Sequence, residues 1–141
     1  MMRINRRTDY AVRIMLALAE HPYGERLSTK TIRETMLVPK AFLERIVAEL
    51  SKASLIKTYP GPNGGIMLFQ TPETITVRQI WEAIEGPLLI SDCLQTPEEC
   101  PLHENCPMRS CWGKLQKVML DELTAMTLSD LSLEVRKKQF I

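Results

Sequence analysis

Residues 28–50, STKTIRETMLVPKAFLERIVAEL, are the stretch that decides the fold, because they predict two short helices joined by a tight turn. Ser28 can cap the first of these helices, which spans roughly 29–36. Pro39 suits the first position of the second helix, about 39–52, because its missing N–H costs nothing there. Two helices joined in this way are the central unit of a helix-turn-helix.

The second helix of the pair has one apolar face and one polar face. The apolar positions recur at helical spacing: Phe42, Leu43, Ile46, Val47 and Leu50. The other face carries Lys40, Ala41, Glu44, Arg45 and Glu49. Side chains of this helix reach base edges in a helix-turn-helix, so DNA contact is favoured over a solvated face. Arg45 can pair bidentately with guanine, and Glu44 can accept a hydrogen bond from cytosine N4.

The flanking segments complete the order of a winged helix. Apolar residues within 5–21 recur at i, i+3, i+4 and i+7, which predicts an amphipathic first helix. Residues 55–59 alternate like a strand, 60–65 form a turn rich in Gly and Pro, and 66–69 form a second strand. Residues 76–86 begin with a capping box and end at Gly-Pro, which predicts one more helix.

All cysteines of the chain lie within nineteen residues, at Cys93, Cys100, Cys106 and Cys111. A loop that concentrates every thiol is typical of a metal centre. Structural zinc is one alternative, although zinc sites usually include a tight C-x2–4-C knuckle and the first two gaps here are longer. A thiol or disulfide switch is another alternative, and the spacing does not decide among them.

Composition limits the possible functions. The chain has 141 residues, 45% hydrophobic and 25% charged, with a net charge of +1, so DNA contact must depend on local clustering of cations. No apolar run approaches the roughly 20 residues of a membrane helix, and the start does not resemble a signal peptide. We therefore expect a cytoplasmic protein, where clustered cysteines favour metal binding or redox sensing over structural disulfides. No catalytic constellation is present, which predicts that the chain is not an enzyme.

The last part of the chain predicts a helix with an apolar stripe. Its members are Trp112, Leu115, Met119, Leu123 and Met126. A helix at the end of a small DNA-binding domain more often packs against its twin than folds back alone, so we expect a homodimer. A short turn at 127–130 is expected to lead into a polar tail. The predicted segments are a winged helix-turn-helix over 1–86, a cysteine loop over 87–111, and a dimerisation helix and tail over 112–141.

Four motifs in this order resemble those of the Rrf-type regulators, the bacterial winged-helix transcription factors that include IscR, NsrR and RirA. They are MRINRRTDYAVR at 2–13, FLERIVAEL at 42–50, GPNGG at 61–65 and the cysteine loop. The similarity runs from Met2 to about residue 135. It implies an α+β, mostly α fold, a homodimer bound to a palindromic site on double-stranded DNA, and no membrane association.

The resemblance also implies an iron–sulfur cluster, [4Fe–4S] in preference to [2Fe–2S]. The three family cysteines fall on Cys93, Cys100 and Cys106. IscR-type members place a histidine ligand three residues after the third cysteine, where this chain has Arg109, which cannot ligate iron. NsrR-type members use an aspartate of the first helix from the other subunit, which corresponds to Asp9. Cys111 and His103 are alternatives for the fourth ligand, and a helix-terminal partner of Arg13 is the structural alternative for Asp9.

The predicted DNA contacts extend beyond the second helix. Arg3, Arg6 and Arg7 resemble phosphate clamps, which position a protein without specifying sequence. In the wing, Asn63, Gly64 and Gly65 let backbone N–H groups approach phosphates, or simply form a hairpin turn. IscR-like proteins carry an arginine just before the wing glycines where this chain has Pro60, so Lys57 or Tyr59 is expected to take over part of that contact.

The sequence therefore predicts a transcriptional regulator, in the first instance a repressor, that senses redox state, nitric oxide or iron–sulfur status through a cluster. One alternative is a cluster-free winged-helix regulator that responds to a metabolite or a protein partner. A thiol or zinc redox switch is another. A small electron-transfer protein is a further rival, but it would need no basic N-terminus, recognition helix or wing.

Overall fold

The computed structural model describes residues 3–139, with side chains through residue 136. The elements in chain order are α1 Arg6–Ala19, α2 Thr29–Met36, α3 Lys40–Lys52, β1 Ile56–Tyr59, β2 Gly65–Leu68, α4 Val77–Glu85, α5 Pro107–Ala125 and α6 Leu128–Gln139. The predicted mostly helical winged helix-turn-helix is confirmed. We call residues 3–86 the head, and residues 87–125, the cysteine loop with α5, the arm.

Helix α1 lies at the centre of the head and packs against α2, α3, α4, α6 and β2. It begins where the side chain of Asn5 accepts a hydrogen bond from the backbone N–H of Arg7, at 2.9 Å. Its apolar stripe is fully buried, as the amphipathic pattern predicts: Ala11, Ile14, Met15 and Leu18 are each at most 4% exposed. The remaining core comes from inward-facing residues of α2, α3, the wing, α4 and α6 and of the segments that connect them.

The helix-turn-helix follows its local signals closely. Ser28 caps α2 by accepting from the backbone N–H of Thr31 at 3.1 Å. The connection turns at Leu37, which has a left-handed φ of 54°. Pro39 is the N-cap of α3, one position earlier than predicted, with extended backbone angles. Its ring cannot donate a hydrogen bond, so either position satisfies the same constraint.

The wing is an antiparallel hairpin with Ile56 opposite Leu68 and Tyr59 opposite Gly65. The chain just before α2 joins it, because Leu27 exchanges two backbone hydrogen bonds with Ile66, at 2.9 and 2.8 Å. Gly65 makes this approach possible: a Cβ there would lie 2.6 Å from the carbonyl oxygen of Leu27, and its φ is +142°. Strand β2 is thus paired on both sides, along its length with β1 and at Ile66 with Leu27.

The C-terminal region differs from its prediction. The expected turn and polar tail are instead helix α6, which packs against α1 and buries Leu128 completely. Thr127 and Asp130 cap this helix reciprocally through their backbone N–H groups and side-chain oxygens, at 3.0 and 3.2 Å. The predicted turn residues are therefore a capping box. Residues 1–2 and 140–141 of the predicted segments lie outside the described residues.

The head and the α5–α6 junction are joined by backbone pairing. The predicted capping box of Thr76 and Gln79 at the start of α4 is present. Beside it, the N–H of Val77 donates to the carbonyl of Met126 at 2.9 Å, and the N–H of Leu128 donates to Ile75 at 2.8 Å. Helix α5 begins at Pro107, five residues before the predicted boundary at 112, so Cys111 is helical. No helix within the described residues is long and apolar enough to cross a membrane.

Candidate DNA interface and cysteine loop

A groove runs between α3 and the wing on one side of the head. It is lined by Lys40 and Glu44 from α3, by Arg33 from α2, and by Tyr59 and Gly64 from the hairpin. Five of the predicted residues thus line one groove, Lys40, Glu44, Tyr59, Gly64 and Gly65, whereas Ala41, Arg45, Lys57 and Asn63 lie outside its lining. Arg33 is not among the predicted residues. Its position in the first helix of the pair is a usable signal, because that helix lies beside the recognition helix.

The polar face of α3 is mostly open to solvent. Lys40, Ala41, Glu44 and Arg45 are exposed, and the Arg45 side chain is 72% exposed. Cationic and acidic side chains held on a rigid helix are suited to hydrogen bonding with base edges. Their exposure agrees with the predicted role in base contact, which remains a prediction.

Glu49 lies on this polar face of α3, as the sequence predicts, but it is less exposed than its neighbours there. Its carboxylate is 28% exposed and forms an ion pair with Arg7 of α1, whose side chain is 24% exposed. Arg45 Nε lies 4.0 Å from the same Glu49 oxygen. Burial in the α1–α3 junction explains the difference, because a half-buried carboxylate needs a cationic partner. The guanidinium of Arg7 is therefore already paired within the head, and a DNA phosphate would have to compete with Glu49 for it.

The remaining predicted cations differ in their surroundings. Arg3 and Arg6 are exposed, Arg6 as the first residue of α1 and Arg3 in the segment before it. Lys57 lies over the ring of Phe69 at the base of the hairpin, with 4.7 Å from its ammonium to the ring centroid. Tyr59 carries the guanidinium of Arg26 on its ring at 3.5 Å. Arg26 was not among the predicted residues, because the loop before α2 gives no sign that it lies beside the wing.

The wing glycines serve the hairpin itself. A Cβ on Gly64 would lie 2.0 Å from the carbonyl oxygen of Tyr59, so only glycine fits this turn. Gly65 is required by the approach of Leu27. Asn63 is exposed at the tip. The plain hairpin interpretation therefore explains both glycines, and their predicted approach to phosphates remains a prediction.

Asp9, the predicted fourth cluster ligand, faces solvent at the start of α1. Its carboxylate is 54% exposed and pairs with Arg13 at 2.9 Å, four residues along the helix. Arg13 also lies against the Tyr10 ring and donates to the carbonyl of Met36 at 3.4 Å. In a single chain the carboxylate thus has the local partner that the structural alternative predicted. The ligand role was assigned across two subunits and stays a prediction.

The cysteine loop consists of three short 3-10 turns, Asp92–Leu94, Pro97–Glu99 and His103–Asn105, each beside one predicted thiol ligand. Cys93, Cys100 and Cys106 are partly exposed, Cys111 is exposed, and all four are free thiols.

Two side-chain contacts lie next to the predicted ligands. The hydroxyl of Ser91 lies 3.1 Å from the sulfur of Cys93. His103 Nδ1 lies 2.8 Å from the carbonyl oxygen of Cys100, so only its other ring nitrogen could serve as an alternative ligand.

The loop is docked on α5. The backbone N–H of Ile90 donates to the side chain of Gln116 at 3.1 Å. The side chain of Leu94 approaches the Cα of Gly113 closely, because a Cβ there would lie 3.7 Å from it. These contacts bring the turn that contains Cys93 beside α5, whose exposed large apolar residues include Trp112, Leu115 and Val118.

The donor set fits an iron–sulfur cluster by its chemistry, since thiolates are the main ligands of such clusters and these thiols are free and accessible. In one chain, however, these thiols do not converge on a common point as the ligands of a metal centre do. Within the described residues, no three His, Cys, Asp or Glu side chains converge closely enough to hold a metal ion. The same observation counts equally against a structural zinc site, because zinc also needs ligands that converge on one point.

A winged helix-turn-helix with an exposed polar recognition helix defines the class of DNA-binding transcriptional regulators. The family model described as "Rrf2: Iron-dependent Transcriptional regulator" matches residues 4–134. The chain belongs to the Rrf2 family, and it is a regulator and not an enzyme.

Relatives agree with this membership along nearly the full chain. The transcriptional regulator NsrR of Geobacillus kaustophilus is 31% identical over 131 residues, which are 92% of this chain and 89% of that protein. The structure of T. potens IscR has a TM-score of 0.78 at 28% identity, covering 98% of this chain and 91% of its own. CymR, titled the global cysteine regulator of B. subtilis, has a TM-score of 0.76 at 27% identity, covering 95% and 98%.

Proposed function

We propose that this chain is an iron–sulfur-cluster-dependent transcriptional repressor that acts in the cytoplasm as a homodimer on a palindromic operator. The observation that carries the proposal is that the thiols and the predicted DNA-binding surface lie in different regions of the molecule. Every thiol of the chain lies on the arm, unpaired and at least partly exposed, while the head presents an exposed recognition helix and wing. The family description, an iron-dependent transcriptional regulator, supports the same assignment.

Cys93, Cys100 and Cys106 are the residues proposed to hold the cluster, [4Fe–4S] in preference to [2Fe–2S]. When bound, a cluster supplies iron whose oxidation state and ligands respond to oxidants and nitric oxide. The chain's contribution is to present thiolates on three short turns, and the docking of the loop on α5 supports this role. Cys111 lies in α5, apart from the turns, which favours a role outside the ligand set.

Asp9 is proposed as the fourth ligand, contributed by the other subunit. Its exposure supports this role, because a solvated carboxylate is accessible to a partner chain. To bind iron, it would exchange its ion pair with Arg13. An exposed ion pair of this kind is worth only about 0.3–0.5 kcal/mol, so the exchange costs little. Asp9 can therefore be paired with Arg13 or bound to iron at a small difference in free energy, as a sensor requires.

The homodimer is proposed on the exposed apolar surface of α5. No residue of α5, all of which is described, is buried. Leu115 and Val118 lie one turn apart on this helix and are 44% and 60% exposed, and Trp112 is 36% exposed. Apolar side chains grouped on one helix are typical of a protein–protein contact. A second copy of the chain is the natural partner, because a two-fold dimer matches a palindromic site.

The Arg7–Glu49 ion pair offers a route from the cluster to DNA. Arg7 lies two residues before Asp9 on α1, and Glu49 lies one turn after Arg45 on α3. A displacement of α1 toward a cluster on the partner subunit would therefore pull on the recognition helix. Half-sites are separated by about 34–36 Å, so small changes in the spacing of two recognition helices affect binding.

The test of the cluster compares two cysteine variants after anaerobic reconstitution. Cys100→Ala should lose the visible absorbance, iron and sulfide of the wild-type protein, because it removes a proposed thiolate ligand. Cys111→Ala is the matched control and should keep all three. Full retention of iron and sulfide by the Cys100→Ala protein would contradict the assignment, and loss in the Cys111→Ala protein would move a ligand to that position.

The test of regulation is an anisotropy titration of cluster-loaded and cluster-free protein, at matched salt, on a duplex selected in vitro by the wild-type protein. We expect the two forms to differ in affinity. Equal affinity would leave the cluster without a regulatory role. Salt must be matched because affinity for DNA falls steeply with ionic strength.

A cluster-free thiol regulator is the second candidate. Two observations favour it: no three ligating side chains converge in the described part of one chain, and one structural relative is titled a cysteine regulator. Anaerobically purified protein would then be colourless, without iron or sulfide. Mass spectrometry after mild oxidation would show a disulfide or another modification on the loop thiols, and DNA affinity would follow that change.

A further inference from the structure

The wing carries no charge of its own near its tip. Between Lys57 and Gln70 the sequence contains no charged residue, and Lys57 is already seated on Phe69. A winged helix placed on DNA brings this hairpin beside a backbone with one negative charge per about 1.7 Å of helix axis. If only the uncharged side chains of this segment contacted the DNA, the phosphate charge beside the hairpin would not be neutralised.

The fold brings a cation to this position from another part of the chain. Arg26 belongs to the loop before α2, more than thirty residues from the hairpin turn in sequence. Its neighbour Leu27 exchanges two backbone hydrogen bonds with Ile66 of β2, at 2.9 and 2.8 Å. The backbone beside Arg26 is therefore fixed to the wing by an antiparallel bridge.

The side chain of Arg26 is also held in place. Its guanidinium carbon lies 3.5 Å from the centroid of the Tyr59 ring, and Tyr59 lies next to the hairpin turn and lines the groove beside α3. Stacking occupies the flat face of a guanidinium and leaves its N–H donors free at the edge. Within the described residues Arg26 forms no ion pair or side-chain hydrogen bond that would occupy those donors.

We propose that Arg26, stacked on the ring of Tyr59, is the phosphate-binding residue of the wing. This inference rests on the proposed DNA-binding function and adds a contact to it. A planar guanidinium can bind a phosphate with two parallel hydrogen bonds, and one that is already stacked loses less conformational freedom on binding. Tyr59 is the positioning residue, and it acts through its ring and not through its hydroxyl.

The test measures DNA affinity against salt concentration, using a labelled duplex selected from a random pool by the wild-type protein. Arg26→Gln should weaken binding about tenfold at low salt. It should also reduce the slope of log affinity against log salt by about 0.9, the value for one lost phosphate contact. Arg136→Gln, the same change at an exposed position of α6, is the matched control and should change neither quantity.

A double-mutant cycle tests the role of Tyr59. Tyr59→Leu should weaken binding about threefold, because Arg26 loses the ring on which it stacks. Tyr59→Phe keeps that ring and should bind like wild type. In the Arg26→Gln background, Tyr59→Leu should have no further effect. Additive effects would show that Tyr59 contacts DNA independently and would overturn its positioning role. Thermal unfolding of each variant checks that the head remains folded.

The outcomes separate this inference from the proposed function. If the wild-type protein selects no duplex, both fail. If it does, and Arg26→Gln keeps the wild-type affinity and salt slope, only the role of Arg26 is overturned. A repeated selection with Arg26→Gln should return the same consensus, because a phosphate contact reads no sequence. A consensus changed at one base pair would instead make Arg26 a base-reading residue and overturn its assignment to phosphate.

Discussion

The head and the arm bury their apolar residues in different ways. The head, from its helices, wing and connecting segments together, contributes nineteen of the twenty buried apolar side chains of the described region, and Leu128 of α6 is the other. In the arm, α5 buries none of its residues. The head therefore has its own core, while the arm leaves its apolar surface open. The exposed apolar surface of the arm is where we propose the dimer contact, and the difference predicts that the head folds independently of that contact.

The largest expected effect tests the independence of the head. Leu50 is fully buried at the end of α3. Leu50→Ala should lower the free energy of unfolding by about 2–5 kcal/mol, through lost burial and a cavity. The loss should not depend on protein concentration in urea or thermal unfolding.

Leu115→Ala is the matched change on α5, where the leucine is 44% exposed. Its effect should be smaller and should depend on protein concentration, because a dimer is stabilised by mass action. A loss at Leu115 as large as at Leu50, and independent of concentration, would break the contrast between arm and head.

The second prediction separates the two regions directly. Leu115→Glu combined with Val118→Glu should raise the dimer dissociation constant by about a hundredfold or more, because four like charges would enter an apolar contact. Sedimentation should show the monomer, while circular dichroism keeps the head's helical signal. Lys117→Gln lies on the same helix, where it loses an exposed ion pair with Asp121, and is the control that should stay dimeric. A monomeric wild-type protein would remove the proposed role of α5.

The third prediction concerns the exposed surface of the head. Arg45→Ala should cost about 1–3 kcal/mol of DNA affinity and relax specificity at one symmetric base pair. Arg6→Ala should weaken binding to all sequences and reduce the salt slope by about one, because its exposed side chain is suited to phosphate. Arg7 is a poorer phosphate probe because of its ion pair with Glu49. The measurement is a titration on matched and single-base-changed duplexes, and indistinguishable profiles for the two variants would contradict the assignment.

The smallest expected effects compare two capping boxes. Thr76→Ala at the start of α4 should cost about 1 kcal/mol of global stability, since it leaves a backbone N–H of the helix start without its partner. Thr127→Ala at the start of α6 should act mainly by local opening of that helix, seen as faster hydrogen exchange in α6. If both variants lowered the unfolding midpoint equally, α6 would unfold together with the head.

Local signals explain why most elements of the head were predictable. Ser28, Thr76 and the left-handed turn between α2 and α3 each act within four residues, so their effects are encoded nearby. Helix α6 was missed although Thr127 and Asp130 form the same kind of box, because its apolar pattern is weak. What stabilises α6 is the burial of Leu128 against the head, a contact with residues far away in sequence.

The sequence by itself determined the winged-helix order, the recognition helix and the concentration of thiols in one loop, because periodicity, caps and spacing are local properties. Only the tertiary structure decided that Glu49 is held by Arg7, that α6 returns to α1, and that Arg26 lies on Tyr59. Each of these contacts joins residues more than thirty positions apart. They depend on how the helices and the wing pack around α1, which sets the partner of each charged side chain.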